Sequence, residues 1–209
     1  MVNKIGTRLK DIETPELIID LDILESNVNI VSKSYKDSHL KMRAHTKNLK
    51  SPYLARKQVE AGGSNGGVCT AKVSEAEVMV EGGFDNILIA NQVVSDDKIE
   101  RLCSLAKFAD MKVGIDNIDN LNNLSKFAIK HNVVLGVLVE INTSMFRCGV
   151  RSSEHAVELA KHAIELEGID FKGVMSHQSI KGLPTEDERW KVGEGYLEIC
   201  LESKRAIEE

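Results

Sequence analysis

The segment KMRAHTKNLKSP places Arg43, His45 and Lys47 at alternate positions. Alternate side chains of a strand share a face, so these three point one way and Met42, Ala44 and Thr46 the other. A lysine amine at the end of a buried strand is expensive to desolvate. Burial favours its neutral form, which can attack a carbonyl carbon and form a Schiff base. The same spacing also describes two solvated lysines, Lys47 and Lys50, at a strand-to-helix turn. Spacing alone leaves both readings open.

Two further residues could act beside that amine. Arg147, in FRCGV, follows the apolar run LGVLVEI, so it falls on a loop after a strand. A guanidinium fixed there can stabilise an oxyanion, or it can pair with a surface carboxylate. His177 ends another apolar run and could pack on a ring, donate to it, or sit in the core with a local partner. Asn91 ends ILIAN and reads as a turn former. Asp116 ends KVGID and reads as a helix N-cap. The run AGGSNGG lacks the Gly-Lys-Ser/Thr ending of a phosphate loop and is expected as a turn on the face opposite the chemistry. No His-Glu-x-x-His spacing suggests a zinc site, and no metal ligand is assigned.

These residues need a scaffold. Short apolar runs alternate with amphipathic stretches along the chain. Strands are expected at Glu16–Asp20, Lys41–Thr46, Gly67–Ala71, Ile87–Asn91, Lys112–Asp116, Leu135–Ile141 and Phe171–His177. Helices are expected between them: SDDKIERLCSLAKFA capped by Ser95 or Asp96, and SSEHAVELAKHAIELEG opening on a serine and closing at Gly168. Strands apolar on both faces, separated by helices, predict a parallel α/β fold. Units of roughly 30 residues suit a (β/α)8 barrel of the TIM type. Counting from Lys41–Thr46 gives six barrel strands, two fewer than closure needs. Residues 1–209 are therefore expected to form one barrel domain, incomplete at its C-terminus.

Composition narrows the function classes. The net charge is −5, and aromatic residues make up 4% of the chain, so neither a basic footprint nor a stacking platform for nucleic acid is present. The charged start MVNKIGTRLKDIE has no apolar core of a secretory signal. The apolar run Val133–Val139 is far short of the roughly 20 residues of a membrane span. Four scattered cysteines form no C-x-x-C pair, which suits a reducing compartment. No nucleic-acid or membrane partner is expected, and the cytoplasm is the expected location.

The motifs TPELIIDLDILESNV, RAHTKNLKSP, GGVCTAKVSEAEVMVEGG, ILIAN and GVLVEI followed by RCGV resemble, from Thr14 to about Arg189, the D-threonine aldolase and D-serine dehydratase family. That family shares the alanine-racemase N-terminal type of pyridoxal-phosphate barrel. The resemblance implies a lyase acting on D-amino acids that bear a β-hydroxyl. It makes Lys47 the catalytic residue that carries pyridoxal 5'-phosphate, with His45, Arg147 and His177 as cofactor-binding residues. Arg147 would reach the phenolic oxygen. A divalent metal is also implied, with ligands on a C-terminal β-domain absent from this chain, and a homodimer is the implied assembly. Two stretches depart from the family pattern. Ala44 and Asn48-Leu49 stand where a proline and Thr-His are usual, and VMSHQSIKG carries the Ser-His of the racemase branch. An amino-acid racemase, or a non-catalytic pyridoxal-phosphate-binding protein, is the alternative.

Overall fold

The computed structural model describes residues 5–209; the first four residues of the charged start lie outside it. Six strands form one parallel sheet, β1 (Met42–His45), β2 (Ser64–Thr70), β3 (Asn86–Ile89), β4 (Asp110–Ile115), β5 (Leu135–Ile141) and β6 (Ile169–Ser176). Helices α1 (Leu21–Lys36), α2 (Pro52–Glu60), α3 (Val73–Glu81), α4 (Asp96–Leu105), α5 (Ile118–His131), α6 (Ser153–Glu165) and α7 (Glu186–Glu208) alternate with them. The spatial order of the strands is their chain order, with no reversal. A doubly wound sheet reverses at a switch point; an unreversed run is how the wall of a barrel is built.

The two faces of the sheet differ accordingly. Val68, Ile87, Ile89, Val113, Ile115, Val137 and Val139 are fully buried on one face, in a single core with Ala55, Ala76, Leu102, Leu124 and Leu159 from the helices. The other face carries Arg43, Asn86 and Lys112, all half-buried. Arg43 lies across β2: its Nη1 donates to the carbonyls of Val68 (3.2 Å) and Asn86 (3.3 Å) and to the Asn86 side chain (2.9 Å). It can do so because position 67 is glycine, whose absent Cβ would stand 2.2 Å from that nitrogen. Lys112 joins the same group through Asn86 Oδ1 at 3.2 Å and through Asp110. Helices thus cover one face, and charge lines the other at the N-terminal end of the strands.

The helix ends follow their capping residues. Asp20 caps α1 by accepting from the Ile23 N–H, Ser152 caps α6, and Thr185 with Glu188 forms a reciprocal capping box on α7. Asn132, at φ 54°, closes α5. Ser95 stands at the N-cap of α4 without a side-chain bond, and Gly168 turns the chain into β6 at φ 75°.

One expected strand is not present. Among the described residues Glu16–Asp20 pairs with no strand, and Leu17, Ile18 and Ile19 are exposed. An apolar run becomes a strand only where a neighbour completes its hydrogen bonds. Here its last residue, Asp20, serves the following helix instead. The glycine-rich stretch also divides differently from expectation. The turn ends at Gly63, and Ser64-Asn65-Gly66-Gly67 already belongs to β2.

Candidate active site

In parallel α/β units the strand C-termini carry the loops where chemistry collects. Lys47 stands in the turn after β1, exposed, and its ammonium makes no hydrogen bond or ion pair among the described residues. It is not the buried lysine that the strand pattern suggested, because the turn lifts it clear of the sheet. Its backbone N–H is 3.4 Å from Nδ1 of His45, which folds the turn back on the strand. Lys50, at φ 46°, ends the turn and pairs with Glu75 at 3.7 Å. Glu75 also accepts the Ala71 N–H at 2.8 Å, and so ties the loops after β1 and β2 together.

His45 is half-buried, and its pKa is lowered. Burial is the main cause and the charge of Lys47 the next. Glu75 and the Cys69 backbone oppose the shift, and His177 adds to it. His45 therefore lies within electrostatic reach of both Lys47 and His177. Cys69, paired with His45 in the sheet, is pushed up to about 11 by burial.

Arg147 is exposed on the loop that follows β5, and it has no hydrogen bond or ion pair among the described residues. His177 is exposed just past β6. The two meet in one small cleft lined also by Glu140, Asn142, Thr143 and Cys148. The hydroxyls of Ser144 (3.1 Å) and Thr143 (3.4 Å) donate to the His177 carbonyl and hold the loop against β6. Lys47, His45, Arg147 and His177 thus share the C-terminal rim of the sheet, with His177 the link between the lysine side and the arginine side.

Several neighbours were not evident from the sequence. Glu140 is 3% exposed, and its carboxylate accepts from Gln92 Nε2 at 2.5 Å. Inside an apolar run it looks like one polar letter; what makes it a site residue is strand alternation, which turns it away from the helices. Asn91 does more than form a turn, since its side chain donates to the Ala71 carbonyl at 2.7 Å. Asp116 does not cap α5. Asn117 does, accepting from the N–H groups of Asp119 and Asn120.

Comparisons with known proteins bear on the fold and the family. The sequence matches the alanine racemase N-terminal domain family over residues 19–200. It is 41% identical over 174 residues to a 3-hydroxy-D-aspartate aldolase of Paracoccus denitrificans, a match covering 83% of this chain and 45% of that protein. It is 33% identical over 202 residues to a D-threonine aldolase of Arthrobacter, covering 96% of this chain and 51% of that protein. Among solved structures, the D-threonine aldolase of Filomicrobium marinum superposes with a TM-score of 0.91 at 36% identity, covering 96% of this chain and 54% of that one. The chain spans about half the length of the relatives it matches.

Proposed function

Because the chain belongs to the alanine racemase N-terminal domain family, we propose that it serves a pyridoxal-phosphate-dependent lyase acting on D-amino acids with a β-hydroxyl. The observation that carries this reading is the rim itself. An amine, a guanidinium and an exposed imidazole gather there, and among the described residues the first two have no hydrogen-bond or ion-pair partner. That set fits the cofactor's functional groups: an aldehyde for Lys47, a phenolic oxygen for Arg147, and a flat ring for His177 or His45. When bound, pyridoxal phosphate supplies an electron sink for charge released at the substrate Cα.

The chain's own residues do the rest. Lys47 would supply the amine that holds the cofactor, and the same amine could take or return a proton at the substrate. Arg147 would stabilise negative charge on the phenolic oxygen by a charge-assisted hydrogen bond. His45, whose pKa burial and the charge of Lys47 both lower, favours its neutral form, which can accept a hydrogen bond through a ring nitrogen without setting a second positive charge beside Lys47. The implied metal finds no group of three or more His, Cys, Asp or Glu side chains among the described residues.

The relatives' names support a substrate such as D-threonine or 3-hydroxy-D-aspartate. We place the protein in the cytoplasm, on the strength of four free cysteines. We take its assembly to be a homodimer, which the apolar side chains left exposed on α1 and α7 favour. Borohydride reduction of the protein with pyridoxal phosphate, followed by peptide mass spectrometry, tests the central assignment. The expected adduct lies on Lys47 and disappears in Lys47→Ala. An adduct on Lys50, or none, overturns the reading. Product analysis then separates the reactions: glycine and an aldehyde from an aldolase, ammonia and an oxo acid from a dehydratase.

A further inference from the structure

Asp116 follows β4, and with Asn117 capping α5 its carboxylate is left for another task. Its Oδ2 accepts the N–H of Gly149 at 2.8 Å, a contact between residues 33 apart in the chain. Gly149 lies two positions beyond Arg147, at φ +92°. A Cβ there would stand 2.7 Å from the Asn142 nitrogen and 2.9 Å from the Ile141 carbonyl carbon. The loop therefore returns so close to β5 that only glycine fits, and this return aims its N–H at Asp116.

The other ties downstream of Arg147 stay within β5 and its own loop. The Asn142 side chain donates to the Cys148 carbonyl at 2.9 Å. The Asn142 N–H donates to Val150 O and the Val150 N–H to Glu140 O, each at 2.8 Å. Upstream, Thr143 and Ser144 reach the His177 carbonyl. The guanidinium has no bond of its own among the described residues, so its place is set by the loop's backbone. Among the described residues, Asp116 is the side chain from another strand that holds the half of the loop following Arg147.

We infer that Asp116 is a positioning residue that acts through Arg147. By gripping Gly149 from the neighbouring strand, it fixes where the guanidinium meets an anionic oxygen of the ligand. This rests on the reading that Arg147 contacts pyridoxal phosphate. The carboxylate touches neither cofactor nor substrate; it determines where the group that does so stands.

The test uses the full chain in four forms: Asp116→Ala, Asp116→Asn, Arg147→Ala, and Asp116→Ala combined with Arg147→Ala. Hydrogen exchange is followed in the peptide spanning residues 142–150, and pyridoxal phosphate affinity is measured by spectroscopic titration. Asp116→Ala is expected to speed exchange at Gly149 and weaken cofactor binding by about tenfold, as loss of a charge-assisted bond implies. Asp116→Asn keeps an oxygen acceptor in place and should restore most of both. The double variant should bind no more weakly than Arg147→Ala alone. Unchanged exchange in Asp116→Ala, or a double-variant loss equal to the two single losses combined, overturns the inference. If the parent chain takes up no pyridoxal phosphate, the functional reading fails separately, and the exchange rates still decide whether Asp116 holds the loop.

Discussion

At the scale of single residues, His45 gives the site a pH dependence whose sign can be worked out. Its ordinary pKa of 6.5 is lowered in the fold by burial first and by the charge of Lys47 second; His177 acts the same way, against Glu75 and the Cys69 backbone. Between the lowered value and 6.5 the unfolded chain binds more protons than the folded one, so stability rises with pH. The contribution is present above the unfolded value and is lost as pH falls through the folded one. Urea unfolding should show a lower midpoint at about pH 5.5 than at about pH 7.5, with a smaller difference in His45→Gln. An equal difference in both proteins would mean that His45 does not titrate in this range. That Arg147 and His177 stand past strand ends was readable because each follows an apolar run, whereas the place of Lys47 was readable from the alternation of the stretch before it. Asp116 was not, because its partner Gly149 is 33 residues away and a local reading offers an aspartate before a helix only the capping role.

At the scale of elements, β5 was legible to the residue, Leu135–Ile141, because its run is apolar except for Glu140 and gives way to the polar Asn142. β2 begins three residues before its expected start, since glycines that look like a turn also permit the Arg43 crossing. Glu16–Asp20 has the composition of a strand, yet lacks a neighbour. Apolar runs report burial demand; pairing is settled by what lies alongside. The distinction between the two sheet faces can be tested on one strand. Leu135 is fully buried toward the helices, whereas Leu138 faces the other way and is half-buried. Leu135→Ala should cost about 2–5 kcal/mol in urea unfolding, the range for a core cavity, and Leu138→Ala clearly less. Equal costs would show that the core extends to both faces.

At the scale of the whole molecule, β1 and β6 are the two outer strands of the sheet, and a parallel sheet with open edges offers unpaired backbone groups to other chains. Leu17, Ile18 and Ile23 are exposed near one side of the fold, as are Trp190 and Leu197 on α7. A 209-residue chain expressed by itself should associate as its concentration rises, as sedimentation velocity would show. A single monomeric boundary at all concentrations would remove that expectation. The barrel type was legible because the helix–strand alternation is regular. Which side chains would meet across the rim was not, since that depends on loops whose course is fixed by single contacts. The one-sided helix cover has a bearing on descent. Residues that hold the chain folded lie between the sheet and its helices, and the candidate site residues lie on loops at the rim, so mutations can accumulate at the rim with little effect on folding. A lineage can in this way change what its rim does while inheriting the same core.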